Sequence, residues 1–445
     1  MEEEEDLENR PCMLQDSLAL QATEKSFYDV LSAGQQLIQH TCGQKYLGRY
    51  EDFSDSVEGP TSSKHLASCS EGLDQTELYD TTLLCSSKNP GFYSDPPCCQ
   101  NTDAMANYDT RIAHDKLKLI RLHCSPYGEA TERMAHYFAD ALEARLAGTG
   151  IELYTAFAKR TISAADILKA FQVYVTACPF RKMSNIFANK SIGMLTREAT
   201  SIHIIDFGIL PSGPPKLRVT GIDFPQPGFR QAERVEETRR RLAKYCKRFN
   251  VPFEYNAIAK KWDSIQLEDL KINRDEMLVI NCLYRLINVP DETVYENSPR
   301  DDVLRLIKQI KPDVFLHGIV NRAYNSTFFV TRFKEALFHF SSLFNMMEAT
   351  VPRENQESAE IMNIVACEGT ARVERPEPYK QWQLRNQRAG FRQLPLEQDI
   401  VKEVRAKVQR RYHKDFLVDE DDYWMLQGWK GRVIYALSCW KPVDD

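Results

Sequence analysis

The chain has 445 residues, 43% of them hydrophobic and 27% charged, with a net charge of −6; this is enough apolar material for a full core. No run approaches the roughly 18 to 20 apolar residues of a membrane span, and the start, Met-Glu-Glu-Glu-Glu-Asp, opposes the basic n-region of a signal peptide, so no membrane partner and an intracellular setting are expected. The twelve cysteines include no CxxC pair, so no metal site is expected and the thiols are read as reduced.

Charge divides the chain. Residues 1–105 hold 19 acidic and 6 basic residues, a net of −13, whereas the remainder carries +7. An acidic tail on a mildly basic body is a hint of nucleic-acid association. Residues 1–105 are rich in Ser, Asp, Gly, Thr and Cys, without sustained periodicity, and are read as a largely disordered acidic region. Phe27, Val30, Leu31, Leu37 and Ile38 could give it one short amphipathic helix for a partner.

From 106 to 200 the pattern is helical. Met134, Phe138, Ala141 and Leu142 form a stripe closed by Gly148, and Ser163-x-x-Asp166 opens a second stripe of Ile167, Leu168, Phe171 and Val175 that Cys178-Pro179 ends. After 200, short apolar runs alternate with amphipathic ones, which defines an α/β core over 201–445. Strands are expected at Ile202–Ile205, Leu217–Ile222, Met277–Cys282, Val314–Leu316, Leu343–Met347 and Arg432–Trp440. Helices are expected at 229–249, 300–310, 326–341, 377–389 and 397–411. Trp424–Trp429, Lys430-Gly431 and Arg432–Trp440 read as a terminal hairpin in a mixed sheet.

The first two strands, ending in Asp206 and Asp223, resemble the start of a nucleotide-binding sheet. Only ten residues separate Asp206 from Leu217, among them Gly208, Pro211, Gly213, Pro214 and Pro215, and no crossover helix fits there. Either the two strands pair differently or a bare loop joins them. A cofactor's phosphate or methionine end would need N–H groups on a glycine turn and a helix N-terminus; these prolines donate none, so Asp206 and Asp223 are read as strand-end and turn residues. No catalytic or cofactor role is expected. His203, flanked by Ile202, Ile204 and Ile205, is read as a hydrogen-bonded core histidine rather than a general base.

The 229–249 helix carries the densest basic cluster. Val235, Leu242, Cys246 and Phe249 are expected on its apolar face, opposite Arg240, Arg241, Lys244, Lys247 and Arg248. Glu236 and Glu237 precede Arg240 and Arg241 by four residues and can pair with them, which fits a simply solvated face. Lys244, Lys247 and Arg248 lack such partners and are the candidate DNA phosphate contacts. The terminal tryptophans suit either core plugs or partner anchors; burial favours plugs.

In order along 121–445, these segments resemble the plant GRAS-domain regulators, scarecrow-like proteins with long acidic N-terminal regions. Ile202, His203, Ile204, Ile205 and Asp206 stand as the VHIID element. Pro299, Phe328, Phe329, Arg332 and Glu360, with Val365-Ala366-Cys367-Glu368-Gly369, resemble the PFYRE region. Trp429, Gly431, Arg432 and Trp440 resemble SAW, and Glu132–Phe138 the first leucine-rich region. The resemblance implies a helical cap (106–200) on a Rossmann-like, methyltransferase-type mixed sheet. It also implies action in the nucleus on DNA, other transcription factors or a second GRAS chain, without cofactor. A binding scaffold without DNA affinity is the alternative, and an S-adenosylmethionine-dependent methyltransferase a remote one. The chain departs from the family where the helix after the VHIID strand is missing, where Ala359 replaces the Arg beside Glu360 after a short 351–358 segment, and at Asn107–Ile120.

Overall fold

The computed structural model describes residues 110–159, 172–195, 199–206, 216–225, 232–295, 298–350 and 359–443. The expectations for 1–105, for the Ser163 helix start, for the loop after Asp206 and for the segment before Glu360 lie outside these residues. Residues 172–177 are helical and the helix stops at Cys178-Pro179, as expected of a residue preceding proline.

The framework is one nine-stranded sheet with the order β3-β2-β1-β4-β5-β9-β8-β7, β6 pairing with β9 off this path. The parallel half consists of β1 (Ile202–Asp206), β2 (Leu217–Asp223), β3 (Phe253–Ala259), β4 (Met277–Leu283) and β5 (Val314–Val320). The antiparallel half consists of β6 (Phe391–Leu394), β7 (Phe416–Asp421), β8 (Trp424–Trp429) and β9 (Arg432–Pro442). This is the expected Rossmann-like mixed sheet. β1 and β2 pair in parallel, Ile202 opposite Leu217 through Asp206 opposite Gly221. The ten-residue connection therefore joins parallel neighbours, and the alternative of a different pairing falls away.

Helices cover both faces. Every residue of β5 is buried and β4 is apolar along nearly its whole length, which is what a doubly covered parallel strand requires. On one face Ile202, Ile204, Leu217, Val219 and Val279 pack with α4 (Phe180–Leu195), with Cys246 of α5 (Glu233–Arg248) and with α10 (Gln398–Arg411). On the other, Ile205, Ile280 and Phe315 pack with Val303, Leu304 and Ile307 of α6 (Pro299–Ile310) and Trp382 of α9 (Tyr379–Arg388).

A third core is all-helical. α1 (Thr110–Leu122) and α2 (Ala130–Leu146) pack against α7 (Phe329–Thr350) and α8 (Ala359–Ala366), with Met134, Phe138 and Leu142 meeting Phe333, Leu337, Ile361 and Val365. The cap is thus built from two segments far apart in the sequence. α3 (Gly150–Lys159) crosses α8 so closely that a Cβ on Gly150 would stand 2.4 Å from the Ala366 carbonyl oxygen.

Three expectations are corrected. Leu343–Met347 is not a strand but part of α7, which runs unbroken for 22 residues from Phe329 to Thr350. Phe249 is not on the apolar face of α5: the helix ends at Arg248, and the ring is exposed. The terminal hairpin gains a third strand, β7, and β3 and β6 join the sheet.

Candidate functional site

In open α/β sheets ligands lie beyond the strand C-termini where the strand order reverses, here between β1 and β4. Asp206 is fully buried there and its Oδ1 accepts from Asn281 Nδ2 at 3.2 Å. Asp223, at the end of β2, accepts from the Phe224 backbone N–H at 2.9 Å and pairs with Arg234 at 2.7 Å and Arg285 at 3.6 Å. The acid that would meet a ribose is thus held by two guanidiniums.

The next strand end is also filled. Tyr284 adopts a left-handed backbone (φ 66°), a strained conformation for an aromatic residue, and its N–H donates to Gly318 O at 2.7 Å. A Cβ on Gly318 would lie 2.7 Å from Leu283 Cδ2, so a larger residue there would require the Leu283 side chain to move. The Tyr284 hydroxyl bonds Ser184, which also accepts from Gln427 Nε2 at 2.8 Å, and Arg181 stacks over the ring at 4.5 Å. Burial drives the phenol's pKa well up.

Within the VHIID element, Ile202, Ile204 and Ile205 are core residues and His203 is fully buried. His203 Nε2 and Thr220 Oγ1 share a 2.8 Å hydrogen bond, and Nδ1 lies 3.8 Å from Glu276, itself 3.0 Å from Arg218. Burial, followed by the Arg218 charge, depresses its pKa to about 4. A neutral imidazole locked between strands suits packing, as the sequence suggests.

The PFYRE residues build two ionic frames. Pro299 is the first residue of α6, where its missing N–H costs nothing. Next to it, the fully buried Arg300 pairs with Glu377 at 2.6 Å, and its Nε donates to Val289 O at 3.1 Å. Arg375 joins Asp291 at 3.4 Å, while Arg385 bridges Glu377, Asp301 and Glu292. In the second frame Arg332, also fully buried, donates to Ile364 O and Ser326 O, both at 3.0 Å, and pairs with Glu368. Arg145 of the cap meets Glu368 at 2.7 Å and lies over the Phe329 ring at 3.8 Å, while Phe328 points outward. Glu360 and Glu374 both approach Arg322 at 3.3 Å; burial and the neighbouring Glu360 push Glu374 up to about 7.

The SAW residues are packing residues. Trp429 donates to Asn345 Oδ1 at 3.0 Å and Trp440 to Ser438 Oγ at 2.6 Å, both rings buried. Lys430 and Gly431, at φ 45° and 83°, form the two-residue turn whose backbone matches strand twist. Arg432 stacks over Phe338 at 3.5 Å, tying β9 to α7.

The basic helix α5 is asymmetric. In its first two turns, Arg234 pairs with Asp223, Arg239 with Glu236, Arg240 with Glu233 and Glu237, and Arg241 with Glu237, all within 2.6 to 2.9 Å. In its last two turns Lys244, Lys247 and Arg248 are exposed, and no acidic group lies within ion-pair distance among the described residues. Beside them Tyr245 and Phe249 are 54% and 56% exposed, with ring centroids 4.8 Å apart, and Arg248 lies 5.9 Å from the Phe249 centroid. Reading the sequence alone found the cations but missed the aromatic pair, whose signal was the Tyr245/Phe249 spacing of four across a helix end.

The sheet and its filled strand ends define a Rossmann-like α/β fold, and the GRAS domain family matches residues 99–441: the chain belongs to that family, whose members are generally regulators rather than enzymes. Among its relatives in Arabidopsis thaliana, scarecrow-like protein 30 is 44% identical, covering 99% of this chain and 87% of that protein. That alignment runs over 511 positions, more than this chain contains, so parts of the relative have no counterpart here. Scarecrow-like protein 14 is 54% identical over 75% of this chain and 47% of its own length, and scarecrow-like protein 9 is 55% identical over 76% and 50%. The chain thus spans about half the length of these two relatives. The crystal structure of SCL7 in Oryza sativa superposes with a TM-score of 0.64 at 25% identity, covering 78% of this chain and all of that one.

Proposed function

We propose that the protein is a nuclear transcriptional regulator of the GRAS type, acting without catalysis, that meets duplex DNA through the last two turns of α5. Other transcription factors, including a second GRAS chain, are its protein partners. One observation carries this: on a helix whose other cations are each neutralised, Lys244, Lys247 and Arg248 are exposed and unpaired among the described residues. Unpaired cations release counterions when they meet phosphate, which is what gives DNA affinity. A relative 28% identical over 90% of this chain is the Arabidopsis scarecrow-like transcription factor PAT1, which supports the transcriptional reading. The engaged Asp223 and the Tyr284-filled strand end support the absence of catalysis.

The test is duplex DNA binding titrated against salt. Three phosphate contacts give a log–log slope of about −2.7; a flat, weak signal rejects DNA contact by this face. The exposed Tyr245–Phe249 pair favours a second reading, a scaffold that binds protein through the same helix end.

A further inference from the structure

The end of α5 combines two chemistries in one patch: three cations without acidic partners among the described residues and two half-exposed aromatic rings in tilted contact. A ligand complementary to both must carry several carboxylates or phosphates interleaved with apolar groups. Duplex DNA supplies the charge but offers Tyr245 and Phe249 little. The sequence holds a segment that supplies both. Residues 51–58, Glu-Asp-Phe-Ser-Asp-Ser-Val-Glu, place four carboxylates around Phe53 and Val57, within a region of net charge −13.

We infer that residues 51–58 of this chain dock on the end of α5, seating Phe53 and Val57 against Tyr245 and Phe249 and their carboxylates against Lys244, Lys247 and Arg248. The docked segment competes with any polyanion for that face, so the acidic region restrains the α5 surface. Reach does not limit it. The roughly 50 residues between Glu58 and Thr110 extend up to ~170 Å at about 3.4 Å per residue, whereas a domain of this size has a radius of gyration of about 20 Å. Being tethered, the segment acts at an effective concentration in the millimolar range, so weak intrinsic affinity suffices. The proposal rests on the patch being a polyanion-facing surface; its first test does not require DNA.

The full chain is treated with a zero-length carbodiimide coupler, which joins carboxylate to amine only in direct contact, using a mixture of isotopically light and heavy protein. The expected result is light–light and heavy–heavy linkage of Lys244 or Lys247 to the carboxylates of Glu51, Asp52, Asp55 or Glu58. The double variant Phe53→Ala/Val57→Ala keeps every carboxylate and should lower that yield several-fold. Linkage of these lysines equally to acidic residues all along 1–105, light–heavy products reaching the half expected of random pairing in an equal mixture, or a yield unchanged in the variant each overturns the docking. In the second arm, the same variant should bind a duplex DNA probe about tenfold more tightly at low salt. Unchanged affinity with DNA bound overturns the competition. If neither protein binds DNA while the linkage and its loss persist, the docking stands and the DNA reading of α5 fails.

Discussion

Arg300 and Glu377 face each other at 2.6 Å with neither side chain open to water. The charge of Arg300 is held without solvent by Glu377, Asp291 and the carbonyls of Val289 and Arg375, and burial lowers its pKa despite those acids. Breaking one side of such a pair strands the other. Arg300→Met and Glu377→Gln are each expected to destabilise by about 3–5 kcal/mol, and the double variant by clearly less than their sum. Urea unfolding of the four proteins measures this; additive losses would mean that the two groups act independently.

Trp440 is wholly buried between β5 and β6, its ring 6.0 Å edge-on from that of Trp424. Trp440→Ala should cost about 3–5 kcal/mol. Thermal unfolding gives the answer, and intact stability with loss of a protein partner would reassign the ring to an interface.

Reversing Lys244, Lys247 and Arg248 to Glu removes no ion pair among the described residues and leaves Val235, Leu242 and Cys246 in place. The melting temperature should hold within the range of surface substitutions, and DNA affinity should fall together with the steepness of its salt dependence. Unaltered DNA binding would move the contact to another surface.

His203 titrates near 4 in the folded protein, against an unfolded value of about 6.5. Because the folded value is depressed, the unfolded chain takes up the proton first. Stability is full above pH 6.5 and falls as the pH drops from there toward 4, by about 2 to 3 kcal/mol at pH 4.5 from this group. His203→Gln, which keeps a partner for Thr220, should flatten that part of the stability profile. An equal slope in both proteins would assign the acid sensitivity elsewhere, His317 being the next buried candidate at about 3.

Gly150→Ala should loosen the cap, since the new methyl would sit 2.4 Å from the Ala366 carbonyl oxygen. Faster hydrogen exchange in α3 and α8, with β4 and β5 unaffected, is the expected signature.

The buried strands were legible because parallel strands covered on both faces are nearly continuous apolar runs, as Met277–Leu283 is apart from Asn281. β3 was not, because an edge strand tolerates the polar interruptions of Phe-Glu-Tyr-Asn-Ala-Ile-Ala. β7 is the other edge, and its Asp419, Glu420 and Asp421 read as a loop while serving to discourage edge pairing. Leu343–Met347 misled because a short apolar run inside a largely buried helix lacks a distinguishing period. Phe249 misled because helical spacing was carried one residue past the helix end. At the site, the cations of α5 could be sorted by the positions of their acidic neighbours, since i,i+3 and i,i+4 pairing is local. The partners of Arg300 and Arg332 could not, since Glu377 and Glu368 are brought to them only by the fold.

β9 lies in the interior of the sheet, flanked by β5 on one side and by β8 and β6 on the other, yet it is the final strand in the sequence. During synthesis at roughly 5–20 residues per second, the interval from Val320 to Arg432 lasts on the order of ten seconds, and for all of it β5 presents a bare hydrogen-bonding edge. A nascent chain of this design needs shielding at that edge until β9 emerges, and a chain that stops between Trp429 and Arg432 keeps a parallel half-sheet and the β7–β8 hairpin with nothing to join them.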